Sequence, residues 1–438
     1  MNNRLYKIED LILEKLEGKF VETEEPERRK ALMTSIAKTL DAAISSEDID
    51  EIYKDVTSFE PITAMLENAD IEDIMVNNTS NIFVYLSKQG VKKQDIKLGT
   101  RDELDRFVSK LKLYATNSSA MDHIFDIHLP QGSRANIVSS PLGYDITIRN
   151  FRRLPLSVID LINLGEMDYN IAARLWIYVD GFRIRPANML IGGIPASGKT
   201  TLLNSLFSFI RPEQRIVTIE ETYELNTDLH ENAVRLETSK DMPMVDLVKN
   251  SLRMRPDMII VGEVRGVEAN DMITAMNIGK ICMGTIHAST TRDMINRLEH
   301  SPMNVPRDII PVLDALMVVS PVYKGGLATR KLIQISEISG IETQVLLSDL
   351  YKFDYRSHQS APVLPSVAYR DTLCKLLNVP PTDLLAEEAI RAKMLEQMNK
   401  MGKRDMASIS EIARSYYYEP DNTLRKLNLS MLQPAIKI

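Results

Sequence analysis

The sequence predicts an α/β protein whose core is a mostly parallel sheet with helices on its faces. Between residues 188 and 298, short apolar segments alternate with segments of helical periodicity. Such alternation is typical of parallel strands joined by helices. The apolar segment Asn188–Ile191 also leads into a glycine loop, and a further helical segment follows that loop. We therefore expect the core domain at residues 154–355.

The residues on either side of this core predict three further parts. Residues 1–60 are charged and carry an apolar stripe at helical spacing, which predicts an N-terminal helical segment. Residues 61–153 alternate strand-like runs with polar or glycine turns around one helical run, which predicts a compact α+β domain. Residues 356–438 contain two segments of helical periodicity and predict a small helical C-terminal segment.

Local patterns predict the individual elements in chain order. In the α+β domain we expect strands at Asp73–Asn78, Ile82–Tyr85, Ile124–Leu129, Ser133–Val138 and Asp145–Arg149, with a helix at Glu103–Tyr114. In the core we expect strands at Arg215–Ile219, Met258–Val261 and Met283–His287, with helices at Met244–Arg253, Ala269–Ile278 and Thr291–Leu298. A closing hairpin follows at Lys331–Ile338 and Thr343–Leu347. Ser357–Pro362 has the composition of a loop, and helices are expected at Pro380–Lys400 and Ser408–Tyr418.

Bulk composition excludes several classes of protein. The chain has 438 residues, of which 44% are apolar and 26% charged, as in ordinary globular proteins. Its formal net charge of −7 argues against a general nucleic-acid coat, which needs a basic surface. Two cysteines cannot supply a disulfide framework or a four-cysteine zinc module, which favours a reducing, cytoplasmic compartment. The apolar stretches are too short to span a bilayer, so any membrane contact is expected to be peripheral.

The glycine loop matches a phosphate-binding pattern at every fixed position. The segment Gly193–Thr200 reads GIPASGKT and fits G-x-x-x-x-G-K-[ST]. In this pattern backbone N–H groups wrap the phosphates, the lysine reaches the β and γ phosphates, and the last hydroxyl binds Mg²⁺. The sequence therefore predicts a RecA-like P-loop ATPase core that binds ATP and Mg²⁺. The expected nucleotide contacts are Gly193, Ala196, Ser197, Gly198, Lys199, Thr200 and Thr201.

Acidic residues end two of the predicted strands. Glu263 follows the apolar strand Met258–Val261 and is our candidate general base, in a place where the usual aspartate of the second nucleotide motif is replaced by Gly262. Glu220 and Glu221 end the strand before it. Because neighbouring side chains of an extended chain point to opposite sides, only one of the pair is expected to face the metal. We favour Glu220, with Thr200 as the second metal ligand and Glu221 as the alternative; solvated strand-end glutamates are the structural alternative.

One histidine and several arginines complete the candidate site. His287 ends a third strand, where it can donate to the γ phosphate or have a purely structural role. A phosphoryl group in transit needs positive charge, often from another domain or subunit. Arginines are concentrated near these motifs and in the α+β domain, although any single one is more often part of a salt bridge. This set consists of Arg134, Arg149, Arg235, Arg253, Arg255, Arg265 and Arg297.

Taken together, these motifs resemble the type II and type IV secretion ATPase superfamily. Arg215–Glu221 is similar to its acidic box, Ser251–Gly266 to its second nucleotide motif, and Gly284–Ala288 to its histidine box. Gln131–Asn136 and Ile146–Arg149 are similar to segments that precede the ATPase core in tight-adherence pilus and archaellum motors. Ser301–Arg307 and the helical tail look closer to archaeal members.

The resemblance implies a function and partners. It implies an ATP-hydrolysing motor subunit for a type IV pilus-like filament or a secretion system, working as a homohexamer on a polytopic membrane platform protein. It implies nucleotide between the two domains, with charge from Arg134 and Arg149. Lys280 stands where the family has a histidine, and Glu221 where it has an aspartate. The alternatives are a nucleic-acid translocase on the same core, disfavoured by 6% aromatic residues and the negative charge, and a scaffold that binds ATP without hydrolysis.

Overall fold

The computed structural model describes residues 3–20, 25–68, 70–86, 89–115, 123–130, 132–150, 155–239, 241–324 and 327–436. Gln131 and the boundary expected at 153/154 lie outside these residues. The chain divides into two compact units, residues 1–154 and 155–438.

The first unit combines helices with an antiparallel sheet. Its helices are α1 (Asn3–Leu16), α2 (Pro26–Leu40), α3 (Ser46–Val56), α4 (Thr63–Glu67) and α5 (Arg101–Lys112). Its strands are β1 (Ile71–Val76), β2 (Ile82–Leu86), β3 (Gly90–Lys93), β4 (Ile124–His128), β5 (Arg134–Ser140) and β6 (Gly143–Arg149), in the order β3-β2-β1-β6-β5-β4. Alternation along β6 turns Ile146 and Ile148 inward. Ile12 and Ile52 of the N-terminal helices belong to the same buried core as these strands, so residues 1–60 are part of this unit.

The second unit begins with elements that carry the glycine loop. They are α6 (Val158–Asn163), α7 (Tyr169–Asp180), β7 (Met189–Gly192), α8 (Lys199–Leu206), β8 (Ile216–Glu220), β9 (Ala233–Glu237), α9 (Met244–Ser251), β10 (Met258–Val264), α10 (Glu268–Asn277), β11 (Ile281–Ile286) and α11 (Thr291–Glu299). The remaining elements are β12 (Ala315–Lys324), β13 (Leu327–Ile341), β14 (Val345–Asp354), β15 (Gln359–Pro362), α12 (Ala368–Leu377), α13 (Pro381–Lys400), α14 (Met406–Tyr418) and α15 (Pro420–Lys426).

The sheet of the second unit is mostly parallel, as predicted. Its strand order is β15-β14-β13-β12-β7-β11-β10-β8-β9, in which β12 to β9 run parallel and β13, β14 and β15 are antiparallel additions at one edge. The central strands are apolar and buried on both faces, as in Met258–Val261, because helices cover both sides. β9 was not predicted, and β15 lies where we expected a loop. Both are edge strands whose polar residues hide the strand pattern.

The C-terminal helices pack onto the same core as α7 and α8. Trp176 of α7 stacks on Phe209 with ring centroids 5.0 Å apart, and Tyr416 of α14 meets the same indole edge-on. Arg391 of α13 is buried and contacts the carboxylates of Asp180 and Glu387. In the described part of the chain, no helix has the length and apolar character that crossing a membrane requires.

Candidate nucleotide site

The glycine loop connects β7 to α8 and has a backbone that only small residues accommodate. A Cβ on Gly193 would lie 2.2 Å from the Ser197 hydroxyl and 2.5 Å from the Val319 carbonyl oxygen. Gly198 has φ +100°, a left-handed conformation that favours glycine, and it caps the start of α8. Ala196 also adopts a positive φ, at 58°. The turn therefore aims the N-terminus of α8, with Thr200 and Thr201 in its first turn, at the mouth of the loop.

Two polar groups of the loop are buried and have few or no hydrogen-bond partners. The Ser197 hydroxyl has no hydrogen-bond partner among the described residues and is shielded from solvent. Lys199 is buried, and this burial lowers the pKa of its ammonium group. Its Nζ lies 3.4 Å from the Ile194 carbonyl oxygen and 3.2 Å from Nδ1 of His287. A buried lysine held by such weak contacts is suited to an anionic ligand.

His287 connects the lysine to the candidate general base. It follows β11, and its Nε2 lies 2.6 Å from Oε1 of Glu263 while its Nδ1 faces Lys199. Nδ1 also lies 3.3 Å from the carbonyl oxygen of Gly193, at the start of the glycine loop. The histidine therefore has contacts on both sides of the site.

Glu263 lies inside β10, two residues beyond the apolar run that predicts this strand. β10 continues to Val264, and its pairing with β11 shifts register between Val261 and Val264. The irregularity coincides with Gly262, whose carbonyl accepts a 2.6 Å hydrogen bond from the Thr285 hydroxyl. The bulge re-aims the carboxylate at the strand's carboxyl end, where its Oε2 receives a second contact at 2.8 Å from Arg265.

Glu220 is the buried member of the acidic pair. Its Oε1 accepts hydrogen bonds from the backbone N–H groups of Glu224 and Leu225, at 2.8 and 2.9 Å. Its Oε2 is buried and has no hydrogen-bond partner in the part of the chain that the structure describes. Burial is the largest cause that raises the pKa of this carboxyl to about 7. A Cβ on Gly262 would lie 3.0 Å from Cγ of Glu220, so the Glu220 side chain takes the space that an aspartate at 262 would need.

A hydrogen-bonded tether joins the loop that follows Glu220 to the helix that follows the glycine loop. Asn204 of α8 donates to the Glu224 carbonyl oxygen at 2.8 Å and accepts from the Asn226 N–H at 2.8 Å. The same 224–225 segment holds Oε1 of Glu220. The structure thus brings Glu220 beside α8, whereas Glu221 is half exposed and pairs with Arg265 at 2.9 Å.

The residues present fit a Mg²⁺ ion that is held together with phosphates. Among the described residues no cluster of three or more His, Cys, Asp or Glu side chains is arranged as a metal cage. Mg²⁺ typically takes one or two protein ligands and completes its shell with phosphate oxygens and water. The partnerless Oε2 of Glu220 and the hydroxyl of Thr200 are donors of the type that Mg²⁺ prefers.

The two arginines predicted to supply charge lie in the first unit. Arg134 begins β5 and Arg149 ends β6, and the two are register partners. Arg134 contacts Asp126 at 3.3 Å and Arg149 contacts Asp73 at 3.0 Å. Their contribution to the nucleotide stays a prediction. Arg265, another of the predicted arginines, directly contacts Glu221 and Glu263, and the sequence pattern did not distinguish it from the rest of that set.

A strand–glycine loop–helix unit beside strand-end acids defines a P-loop nucleotide site. The model of the "Type II/IV secretion system protein" family matches residues 55–350. The chain belongs to this family, which confirms the resemblance predicted from its motifs.

Individual relatives show how far the likeness extends. An uncharacterized protein of Methanocaldococcus jannaschii is 42% identical over 223 residues, which cover 48% of this chain and 31% of that protein. The conjugal transfer protein TrbB of Rhizobium radiobacter is 32% identical over 246 residues, covering 53% of this chain and 73% of that protein. The ATPase DotB of Legionella pneumophila has 18% identity and a TM-score of 0.46 over 77% of this chain and 86% of its own. The chain therefore spans less than a third of the archaeal relative.

Proposed function

We propose that the chain hydrolyses ATP in a Mg²⁺-dependent reaction and works as a motor subunit of a pilus-like filament or a secretion system. The observation that carries the proposal is the line of contacts from Lys199 through His287 to Glu263. The short distances between these side chains support the roles of phosphate-binding cation for Lys199 and general base for Glu263. Membership of the secretion-system family supports the mechanical role.

The lysine and the glycine loop bind and orient the substrate. Phosphates entering the loop meet the N-terminus of α8 and the buried ammonium group of Lys199, which exchanges its weak contacts with Ile194 and His287 for phosphate oxygens. Mg²⁺, when bound, would neutralise negative charge on the phosphates. Thr200 and Glu220 are the residues that would hold the ion.

Glu263 handles the proton of the attacking water. As the water oxygen bonds to the γ phosphorus and the bond from that phosphorus to the ADP oxygen breaks, Glu263 accepts the proton. His287 contacts both Lys199 and Glu263, so we expect the arrival and the loss of the γ phosphate to change its contacts on either side. This gives the site a group that senses the state of the nucleotide.

The same function implies an assembly of several copies of the chain and a location at the membrane. We propose a homohexamer that docks on a polytopic membrane platform protein and contacts the cytoplasmic membrane only through such partners. Arg134 and Arg149 would add charge to the nucleotide in the assembled ring.

Steady-state turnover of purified protein tests the catalytic part. We expect Mg²⁺-dependent phosphate release that Lys199→Ala abolishes by removing the phosphate-binding cation. Glu263→Gln should lower kcat by about 100-fold or more while ATP still binds, because a general base typically contributes ~10²–10⁴-fold. Arg307→Gln, at a surface arginine outside the site, is the control and should keep wild-type turnover. Equal rates for wild type and Glu263→Gln would exclude this mechanism.

A further inference from the structure

One guanidinium group joins an acid near the end of one strand to an acid that follows the neighbouring strand. Arg265 lies directly after β10, and its two terminal nitrogens donate to different carboxylates. One contacts Oε2 of Glu263 at 2.8 Å and the other contacts Oε2 of Glu221 at 2.9 Å. Glu221 follows β8, which is the parallel neighbour of β10 in the sheet. Arg265 therefore connects the general base to the end of the adjacent strand.

The backbone of Arg265 is itself held in place. Glu268, the first residue of α10, accepts hydrogen bonds at 2.7 Å from the N–H groups of both Arg265 and Gly266. Glu268 is buried, and a Cβ on Gly266 would lie 3.0 Å from its carboxylate. The backbone at the base of the Arg265 side chain is thus fixed by hydrogen bonds, and the planar guanidinium group is preorganised, so little freedom is lost for each hydrogen bond that it forms.

The arginine also counters repulsion between carboxylates. Glu220, Glu221 and Glu263 all lie at the same edge of the sheet, with Glu220 packed against the backbone of Gly262. The hydrogen bond that Arg265 donates to Glu263 is the largest of the causes that raise the pKa of Arg265, so the guanidinium keeps its charge. Glu263 then has Oε2 on Arg265 and Oε1 on His287, which defines the plane of its carboxylate.

We propose that Arg265 is a positioning residue that orients Glu263 for hydrolysis by tying it to Glu221. The inference rests on the proposed ATPase function and adds to it a residue that acts through the general base. The planar guanidinium fork of Arg265 explains why an arginine suits this position, because a lysine presents a single point charge and cannot hold both carboxylates in one plane. The role predicts an effect on kcat without an effect on nucleotide binding.

The test compares Arg265→Gln, Arg265→Lys and a matched control, Arg307→Gln. Arg307 is a similarly exposed arginine with two hydrogen bonds to Glu299, at 2.7 and 3.1 Å, outside the site. We expect Arg265→Gln to lower kcat by about 10- to 100-fold, the scale of a small misplacement of a catalytic group. KM and the affinity for a fluorescent ATP analogue should stay within about twofold. Arg265→Lys should recover part of the loss, and Arg307→Gln should match wild type.

A double variant separates positioning from direct contact with the nucleotide. If Arg265 acts by joining the two acids, Arg265→Gln and Glu221→Gln combined should lower kcat by less than the product of their separate effects. Wild-type kcat in Arg265→Gln, or a parallel loss of kcat and analogue binding in both Arg265 variants, would overturn the positioning role. Absence of turnover in the wild-type protein would overturn the proposed function as well, so the two failures are distinguishable.

Discussion

Replacing Glu220 with glutamine should change how the stability of the second unit depends on pH. Burial raises the pKa of this carboxyl from its ordinary value of 4.5 to about 7 in the folded chain. Between these two values the folded state binds a proton that the unfolded state has released. The resulting stabilisation is complete below pH 4.5 and is lost as pH rises through about 7.

The size of the effect follows from the two pKa values. Each pKa unit corresponds to about 1.4 kcal/mol, so the whole contribution is of the order of 3 kcal/mol. Between pH 5.5 and pH 8 about 2 kcal/mol of it should disappear from the wild type. A glutamine still accepts the backbone N–H groups of Glu224 and Leu225 but has no charge to bury. The variant should therefore gain about 2 kcal/mol relative to wild type over this interval.

Urea unfolding followed by tryptophan emission measures this difference. The chain has one tryptophan, Trp176, which is buried against Phe209 in the unit that carries the site. The experiment is run without nucleotide and with a chelator, so that no cation binds Glu220. Glu221→Gln, at the exposed neighbour, is the control and should keep the pH dependence of the wild type. If Glu220→Gln and wild type lost stability in parallel from pH 5.5 to 8, the assignment of a buried, partnerless carboxylate would be refuted.

Two further predictions concern the space beside Glu220 and the arginines of the first unit. Gly262→Ala should lower the free energy of unfolding of the second unit by about 1–3 kcal/mol, since its Cβ would lie 3.0 Å from Cγ of Glu220; unfolding in urea that matches wild type would contradict the close approach. Arg134→Ala and Arg149→Ala should each lower kcat more than ATP affinity; equal losses of turnover and affinity, measured with a fluorescent ATP analogue, would indicate damage to β5 and β6 instead.

The glycine loop was predictable because its constraints are local. Gly193 has no room for a side chain and Gly198 needs a left-handed backbone. Both glycines belong to one motif of eight consecutive residues, so the sequence alone indicates them. The parallel core was predictable for a similar reason, since central strands such as Met258–Val261 are apolar throughout. The edge strands were harder to predict from the sequence. β9 contains the exposed Arg235 and the half-buried Glu237, and β15 has the polar sequence QSAP, so neither shows an apolar run.

The contacts between the acids depend on tertiary structure that no local pattern describes. Alternation along β8 predicts that Glu220 and Glu221 face opposite ways, and the buried one is Glu220. The Glu220 side chain fills the space beside Gly262, where a larger residue would not fit. This close approach follows from the pairing of β8 with β10 and cannot be predicted from either segment alone. Arg265 joins residues that are 44 positions apart in one contact and two in the other, which is why composition near the motifs did not distinguish it from other arginines.

The most direct test of the account is a crystal structure with Mg²⁺ and a non-hydrolysable ATP analogue. We expect the triphosphate to lie in the Gly193–Thr200 loop, with Lys199 released from His287 onto the β and γ phosphates and the ion on Thr200. Glu263 should face the γ phosphorus across a water molecule. A triphosphate bound away from Lys199 and Thr200, or a Glu263 carboxylate turned away from the γ phosphate, would contradict the proposed chemistry.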